Sequence, residues 1–397
     1  MVNGEKFMVQ GFKASAVAAG LRKGDGPDMA LIVSDREATA AGVFTTNAVR
    51  AAPVILSERH VKNGKARAIV ANAGNANACT GEEGFRDATL TADLVAKELD
   101  ISPRDVLVTS TGVIGEPLNI DLIGRAVPDL KKGLVPDGIP MAARAIMTTD
   151  SFPKISSFQG GAGGQDYIIV GIAKGAGMIM PNMATMLCFI LSDIAIEPRE
   201  LKKALLSSAE TTFNRISVDG DTSTNDTVLA MANGLAGNGD LDEDDYKGFY
   251  EGLRSVMWDL ARMIVRDGEG ATKLVSVEVL NASSPSDALT AARTVANSSL
   301  VKTALYGQDP NWGRIMAALG RAGIDMREDL VDLWIDDVRI VEAGLGKGGD
   351  AERRASEIMR GKEFSLFIDL HQGDCHDRIL TCDLTHEYVS INADYRT

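Results

Sequence analysis

Four short apolar runs in the first half limit most strongly what this chain can fold into. DMALIVSD (28–35), ARAIVANAG (66–74), DVLVTSTG (105–112) and DYIIVGIAKG (166–175) are of strand length and rich in β-branched residues. Helical stretches separate them, and that alternation predicts an α/β (mixed α+β) fold.

The second half carries clear helices of its own. Residues 242–265 place Tyr246, Phe249, Leu253, Val256, Leu260 and Ile264 at steps of three or four, with acidic residues in the first turn where the helix dipole favours them. EPRELKKALLSSAETTF (197–213) predicts another helix, with Pro198 near its first turn and Leu201, Leu205, Ala209 and Phe213 on one face. Alternation in LVDLWIDDVRIV, EFSLFIDLH and RILTCDLTHEYVSIN predicts strands of a second sheet, with a turn at QGDC. No repeat or compositional shift marks a domain boundary.

Bulk properties narrow the function. The 397 residues carry a net charge of -14, which disfavours nucleic acid and anionic membrane surfaces. Four cysteines in so long a chain do not make a disulfide framework and fit a reducing compartment. ASAVAAGL is too alanine-rich for a secretory core, and MATMLCFIL falls short of the roughly 20 residues that span a bilayer. A cytoplasmic protein without a membrane partner is the expectation.

One threonine is oddly placed. In KGAGMIMPNMATMLCFILSD (174–193), Thr185 sits in an apolar run where valine would pack without needing a partner. A buried, unpartnered hydroxyl costs about 1 to 3 kcal/mol, so it is either bonded to backbone or chemically used. As a nucleophile it needs a base. The four histidines, His60, His371, His376 and His386, are not obviously available. An alternative base is the threonine's own α-amino group, with a reference pKa near 8, provided Thr185 becomes an N-terminus by cleavage after Ala184. The residues alone leave both readings open.

Other suggestive stretches have plain readings. HQGDCHDRILTCDLTHE lacks the paired spacings of a zinc site, so no metal is expected. GLGKGGD (344–350) lacks the full phosphate-loop spacing and reads as a surface turn. VDGDTSTNDT (218–227) lacks the terminal glutamate of a calcium loop and reads as a tight, hydrogen-bonded turn. DPNWGR reads as a turn opening a helix.

The stretch GIAKGAGMIMPNMATMLCFI resembles the signature of the ornithine acetyltransferase family, the self-processing glutamate N-acetyltransferases of arginine biosynthesis. The resemblance covers essentially the whole chain, through GFKASAVAAGLRKG, AAGVFTTNAVRAAPV, ANAGNANACTG, TSTGVIG, MTTD, VDGDTSTNDT, RDGEGATK and YGQDPNWGRI in order. It implies sheets sandwiched between helices, as in the ornithine acetyltransferase and DmpA type, and self-cleavage between Ala184 and Thr185 into fragments 1–184 and 185–397. It implies Thr185 as nucleophile, Thr111 and Gly112 as the oxyanion-stabilising pair, and Thr148, Lys174, Thr185, Glu269, Asn392 and Thr397 as substrate contacts. Thr149 competes with Thr148 for its match. The implied substrates are N-acetylornithine and glutamate, exchanging acetyl by a ping-pong route that needs no metal or organic cofactor. Met183, Met186 and Leu187 would help keep water from the ester. An α₂β₂ assembly is implied, and acetyl-CoA as a further donor is left open.

Two rivals stand beside this reading. A related N-terminal-nucleophile amidohydrolase or aminopeptidase would pass the acyl group to water. A non-catalytic amino-acid-binding protein would keep an uncleaved chain and use Lys174 and Glu269 only as ligands.

Overall fold

The computed structural model describes residues 4–180 and 186–394. They form two compact units, one of residues 4–180, 186–214 and 221–264, the other of residues 215–220 and 265–394. The mixed α/β expectation holds in both.

In the first unit the strands are β1 (Phe12–Val17), β2 (Met29–Phe44), β3 (Lys65–Asn75), β4 (Val106–Val113), β5 (Lys154–Ala162), β6 (Gln165–Lys174) and β7 (Leu187–Ser192). After the two-residue strand β8 (Ile216–Ser217), which pairs in the second unit, β9 (Thr227–Ala232) completes the sheet in the order β4-β3-β2-β9-β7-β6-β5, with β1 on β2. The run at 28–35 is only the start of β2. A register shift between Val33 and Ala38 lets its first part pair with β1 and β3 and its last part with β9.

Both faces of this sheet are covered, which explains why its strands read as nearly continuous apolar runs. Leu31, Val70, Val106 and Val108 pack with α1 (Ala52–His60), α2 (Gly81–Leu99) and α3 (Ile120–Lys132). Their alternates Ile32, Ile69 and Leu107 pack on the other face with α4 (Ile139–Ala145). The two predicted helices appear as α5 (Pro198–Thr211), with Phe213 just beyond it, and α6 (Glu243–Arg266). Helix α6 crosses β6 at Gly171, where a Cβ would come within 2.7 Å of Val256 and 2.8 Å of Leu260.

In sequence, the Ala184–Thr185 position falls between β6 and β7. Those strands are antiparallel neighbours, with Lys174 opposite Leu187. Strands β7 and β9, which follow that position in sequence, lie side by side with β2 on one flank and β6 on the other.

The second unit has the separate sheet expected of the second half. Its strands β10 (Leu274–Ala282), β11 (Asp332–Ile335), β12 (Val338–Glu342), β13 (Leu345–Gly346), β14 (Glu363–Asp369) and β15 (Cys375–Cys382) are ordered β13-β12-β11-β14-β10-β15-β8. Its helices are α7 (Pro285–Ala296), α8 (Ser299–Tyr306), α9 (Trp312–Gly320), α10 (Gly349–Met359) and α11 (His386–Asp394). DPNWGR does open a helix, with the Asn311 side chain accepting from Arg314 N–H at 3.2 Å. GLGKGGD supplies the edge strand β13 and the start of α10.

Two readings of the C-terminal region need correction. The residues around QGDC do not join adjacent strands, because β10 lies between β14 and β15, parallel to one and antiparallel to the other. RILTCDLTHEYVSIN is a strand only to Cys382. Beyond it the Thr385 hydroxyl accepts from Tyr388 N–H and residues 386–394 turn helical, with none of that helix's residues buried. Apolar-polar alternation without a sheet face to bury does not hold a strand.

Among the described residues no helix is long and apolar enough to cross a membrane. No group of three or more His, Cys, Asp or Glu among them is placed to hold a metal ion.

Candidate active site

The expected site residues divide between the units. Thr111, Gly112, Thr148 and Lys174 lie in the first, Glu269 and Asn392 in the second. Ala184, Thr185 and Thr397 lie outside the described residues, as does Met183; Met186 and Leu187 are buried.

Thr111 and Gly112 lie in the last three residues of β4, beside Ala73 and Gly74 of the parallel strand β3. At Gly112 φ is +132°, and a Cβ there would stand 2.3 Å from the carbonyl carbon of Gly74. Only glycine satisfies both demands, so β4 can lie this close to β3 immediately after Thr111. That hydroxyl is buried and accepts a hydrogen bond from Lys174 Nζ at 3.1 Å. Lys174, the last residue of β6, is buried too.

Asp150 organises the rest of this corner. Its carboxylate accepts from Lys154 Nζ at 2.6 Å, from Gly175 N–H at 2.7 Å and from Thr148 N–H at 2.9 Å. One side chain thus ties the MTTD segment to the residue after Lys174. Burial would raise its pKa, but the charges of Lys174 and Lys154 and the Gly175 N–H outweigh that and hold it below the usual carboxylate range. Thr148 is therefore linked to Lys174 through Asp150, by its backbone.

A second buried acid, Asp226, immediately precedes β9. Burial pushes its carboxyl well above the usual range, against the hydrogen bonds of Ser223 and Thr45 and the charge of Lys174. One of its oxygens has no hydrogen-bond partner. Lys154 and Lys174 thus both act on the Asp150 carboxylate, and the charge of Lys174 also acts on Asp226.

In the second unit Asn392 Nδ2 donates to Glu269 Oε2 at 2.8 Å, so these two expected contacts are brought together. Their supports are buried. Asp383 accepts from Thr272 N–H and Lys273 N–H at 2.8 and 2.9 Å, and Thr385 Oγ1 donates to Gly270 O at 2.8 Å. Gly270 has φ +67° and leaves no room for a Cβ, which would lie 2.6 Å from Tyr388 N.

His60, the only histidine in the first unit, meets Val106 O at 2.8 Å, and His371 meets Asp332 at 2.8 Å. Asp150, Asp226 and Asp383 were not singled out from the sequence. The only trace was an acid closing the motif MTTD or lying within VDGDTSTNDT, with nothing to show it would be buried.

The profile of the ArgJ family matches residues 13–397. The chain belongs to the ArgJ family. It is therefore an enzyme, and an acyltransferase. It is 52% identical over 391 residues to the arginine biosynthesis bifunctional protein ArgJ of Geobacter sulfurreducens, covering 98% of this chain and 100% of that one. The protein of the same description from Desulfotalea psychrophila is 49% identical over 394 residues, with 98% and 100% covered. The crystal structure of arginine biosynthesis bifunctional protein argJ from Bacillus halodurans matches with TM-score 0.51 and 41% identity, covering 53% of this chain and 100% of that chain. Membership in the ArgJ family agrees with the resemblance carried by the sequence motifs.

Proposed function

We propose that this chain is a glutamate N-acetyltransferase of arginine biosynthesis. It cleaves itself between Ala184 and Thr185 and carries acetyl from N-acetylornithine to glutamate as an ester of Thr185. The observation that carries this reading is the buried Lys174–Thr111 hydrogen bond beside Gly112, in a chain matched to the ArgJ family over nearly its whole length.

The acquired α-amino group of Thr185 takes the hydroxyl proton as the oxygen attacks the acetyl carbonyl of N-acetylornithine. Thr111 and the Gly112 N–H stabilise the oxyanion of the tetrahedral intermediate, which collapses with the proton passed to the departing amine. Ornithine leaves, glutamate's amine attacks the ester, and the same proton route returns Thr185. In self-cleavage the hydroxyl attacks the Ala184 carbonyl first, and water hydrolyses the resulting ester. Lys174, buried beside Thr111, attracts the α-carboxylate common to donor and acceptor. Glu269, held by Asn392, attracts the ornithine ammonium. Thr148 and Thr397 complete the polar contacts.

The fragments stay together in this reading, because β7 and β9 are hydrogen-bonded between β2 and β6 of the other fragment. In this reading two copies of each fragment assemble and work without cofactor in the cytoplasm.

Initial rates with both substrates varied test the reading. Parallel double-reciprocal lines and N-acetylglutamate as product are expected. Free acetate released at the same rate with or without glutamate would point to the hydrolase, and ornithine binding by an intact, inactive chain to the binding protein. Glu269→Gln should weaken ornithine binding, and unchanged affinity removes Glu269 from its role. Replacing N-acetylornithine by acetyl-CoA in the same assay decides whether a thioester donor is accepted.

A further inference from the structure

VDGDTSTNDT has so far no part in the reaction, yet its segment 221–227 touches the chain on both sides of the cleavage position. Met180 N–H donates to Asp221 O at 2.9 Å and Thr222 Oγ1 to Met180 O at 2.9 Å, while Thr227 N–H donates to Met186 O at 2.8 Å. One short stretch therefore holds the last described residue before Thr185 and the first after it.

Asn225, at the centre of that stretch, reaches the other half of the chemistry. Its Nδ2 donates to Ala76 O at 2.6 Å and to Ser110 O at 2.8 Å, and its Oδ1 accepts from Thr224 Oγ1 at 2.6 Å. Ser110 immediately precedes Thr111 and Gly112, and Ala76 follows the Gly74 that faces Gly112 across the strands. Two carbonyls on one side of the amide and a hydroxyl on the other fix its orientation, since flipping would set oxygen against both carbonyls. The side chain is buried, so no water replaces these bonds.

We infer that Asn225 is a positioning residue, which clamps the strand ends carrying Thr111 and Gly112 to the segment that brackets the nucleophile. It acts through the oxyanion pair. The inference rests on the function proposed above, because it takes Thr111 and Gly112 as that pair. Oxyanion stabilisation depends on donors held to a few tenths of an ångström, so a clamp of this kind contributes to kcat more than to substrate binding.

The test compares wild type, Asn225→Ala, Thr111→Val and the double variant, with kcat expressed per cleaved chain counted by intact mass. Asn225→Ala should lower kcat by about 10- to 100-fold and leave KM for glutamate within about threefold. Added to Thr111→Val it should cost less than about threefold more, because a clamp has little left to position once the hydroxyl is gone. Undiminished kcat in the cleaved single variant, or losses that multiply in full, would overturn the inference. If Asn225→Ala does not fold, Thr224→Val, which keeps the asparagine but frees its amide, carries the same test. It should lower kcat several-fold with KM held, Thr224→Ser should restore it, and unchanged kcat would again overturn the inference. A wild type that transfers no acetyl at all removes the function and this inference together, whereas an active wild type indifferent to Asn225 removes only the clamp.

Discussion

Lys174 Nζ donates to Thr111 Oγ1 across 3.1 Å, with both residues buried. An ammonium group has no acceptor, so this bond makes the hydroxyl the acceptor and leaves its own proton free to donate elsewhere. The lysine thus orients the hydroxyl needed for an oxyanion while its charge draws in a carboxylate. Lys174→Met should lose both effects and lower kcat/KM for N-acetylornithine by about 10²-fold or more, through KM as well as kcat. Steady-state kinetics checks this, and an effect confined to KM would reduce Lys174 to a binding group.

Gly112→Ala tests the backbone of the same pair. The new methyl would strike Gly74 in a φ region that disfavours L side chains, displacing the strand end. Transfer should fall by roughly 10²-fold, while the circular dichroism spectrum keeps its α/β shape. An active Gly112→Ala protein would exclude the 112 N–H as a donor.

Asp150→Asn leaves two buried lysines without their shared carboxylate. Removing one partner of a buried pair costs about 3 to 5 kcal/mol, readable as a lower urea midpoint at constant slope. The pH dependence has a definite sign. The folded-state pKa of Asp150 lies below its ordinary value, so its stabilisation is present above about pH 4 and is lost as pH falls through the folded value. The variant should lack that acid-side loss.

Asp226 works in the opposite sense. Its pKa is raised on folding, so between about pH 4 and the raised value the folded chain holds a proton the unfolded chain lacks. Its contribution is fully present below about pH 4 and declines as pH rises through the folded value. Asp226→Asn should flatten that decline in melting temperature measured across pH. An unchanged slope would mean that Asp226 is already ionised.

Much of the fold was legible because both faces of the first sheet are covered, leaving apolar runs such as ARAIVANAG and DVLVTSTG that say strand without ambiguity. The long helix at 243–266 announced itself by a sustained period. What failed was partnership. Nothing in EFSLFIDLH or RILTCD reveals that β10, nearly a hundred residues earlier in sequence, lies between them. HEYVSIN alternates like a strand but has no sheet face to meet. In the site, Thr111, Gly112 and Lys174 were marked by motif. Asp150 and Asn225 were not, because their value lies in carbonyls, amides and lysines brought to them from distant segments.

The most direct test of the account is intact-mass spectrometry of the purified protein, alone, with N-acetylornithine, and after adding glutamate, beside Thr185→Ala. The account predicts two fragments meeting at the Ala184–Thr185 bond, in wild type only. The fragment beginning at Thr185 should gain one acetyl group from N-acetylornithine and lose it to glutamate. An intact wild-type chain, or a cleaved one whose Thr185 fragment never takes up acetyl, would contradict it.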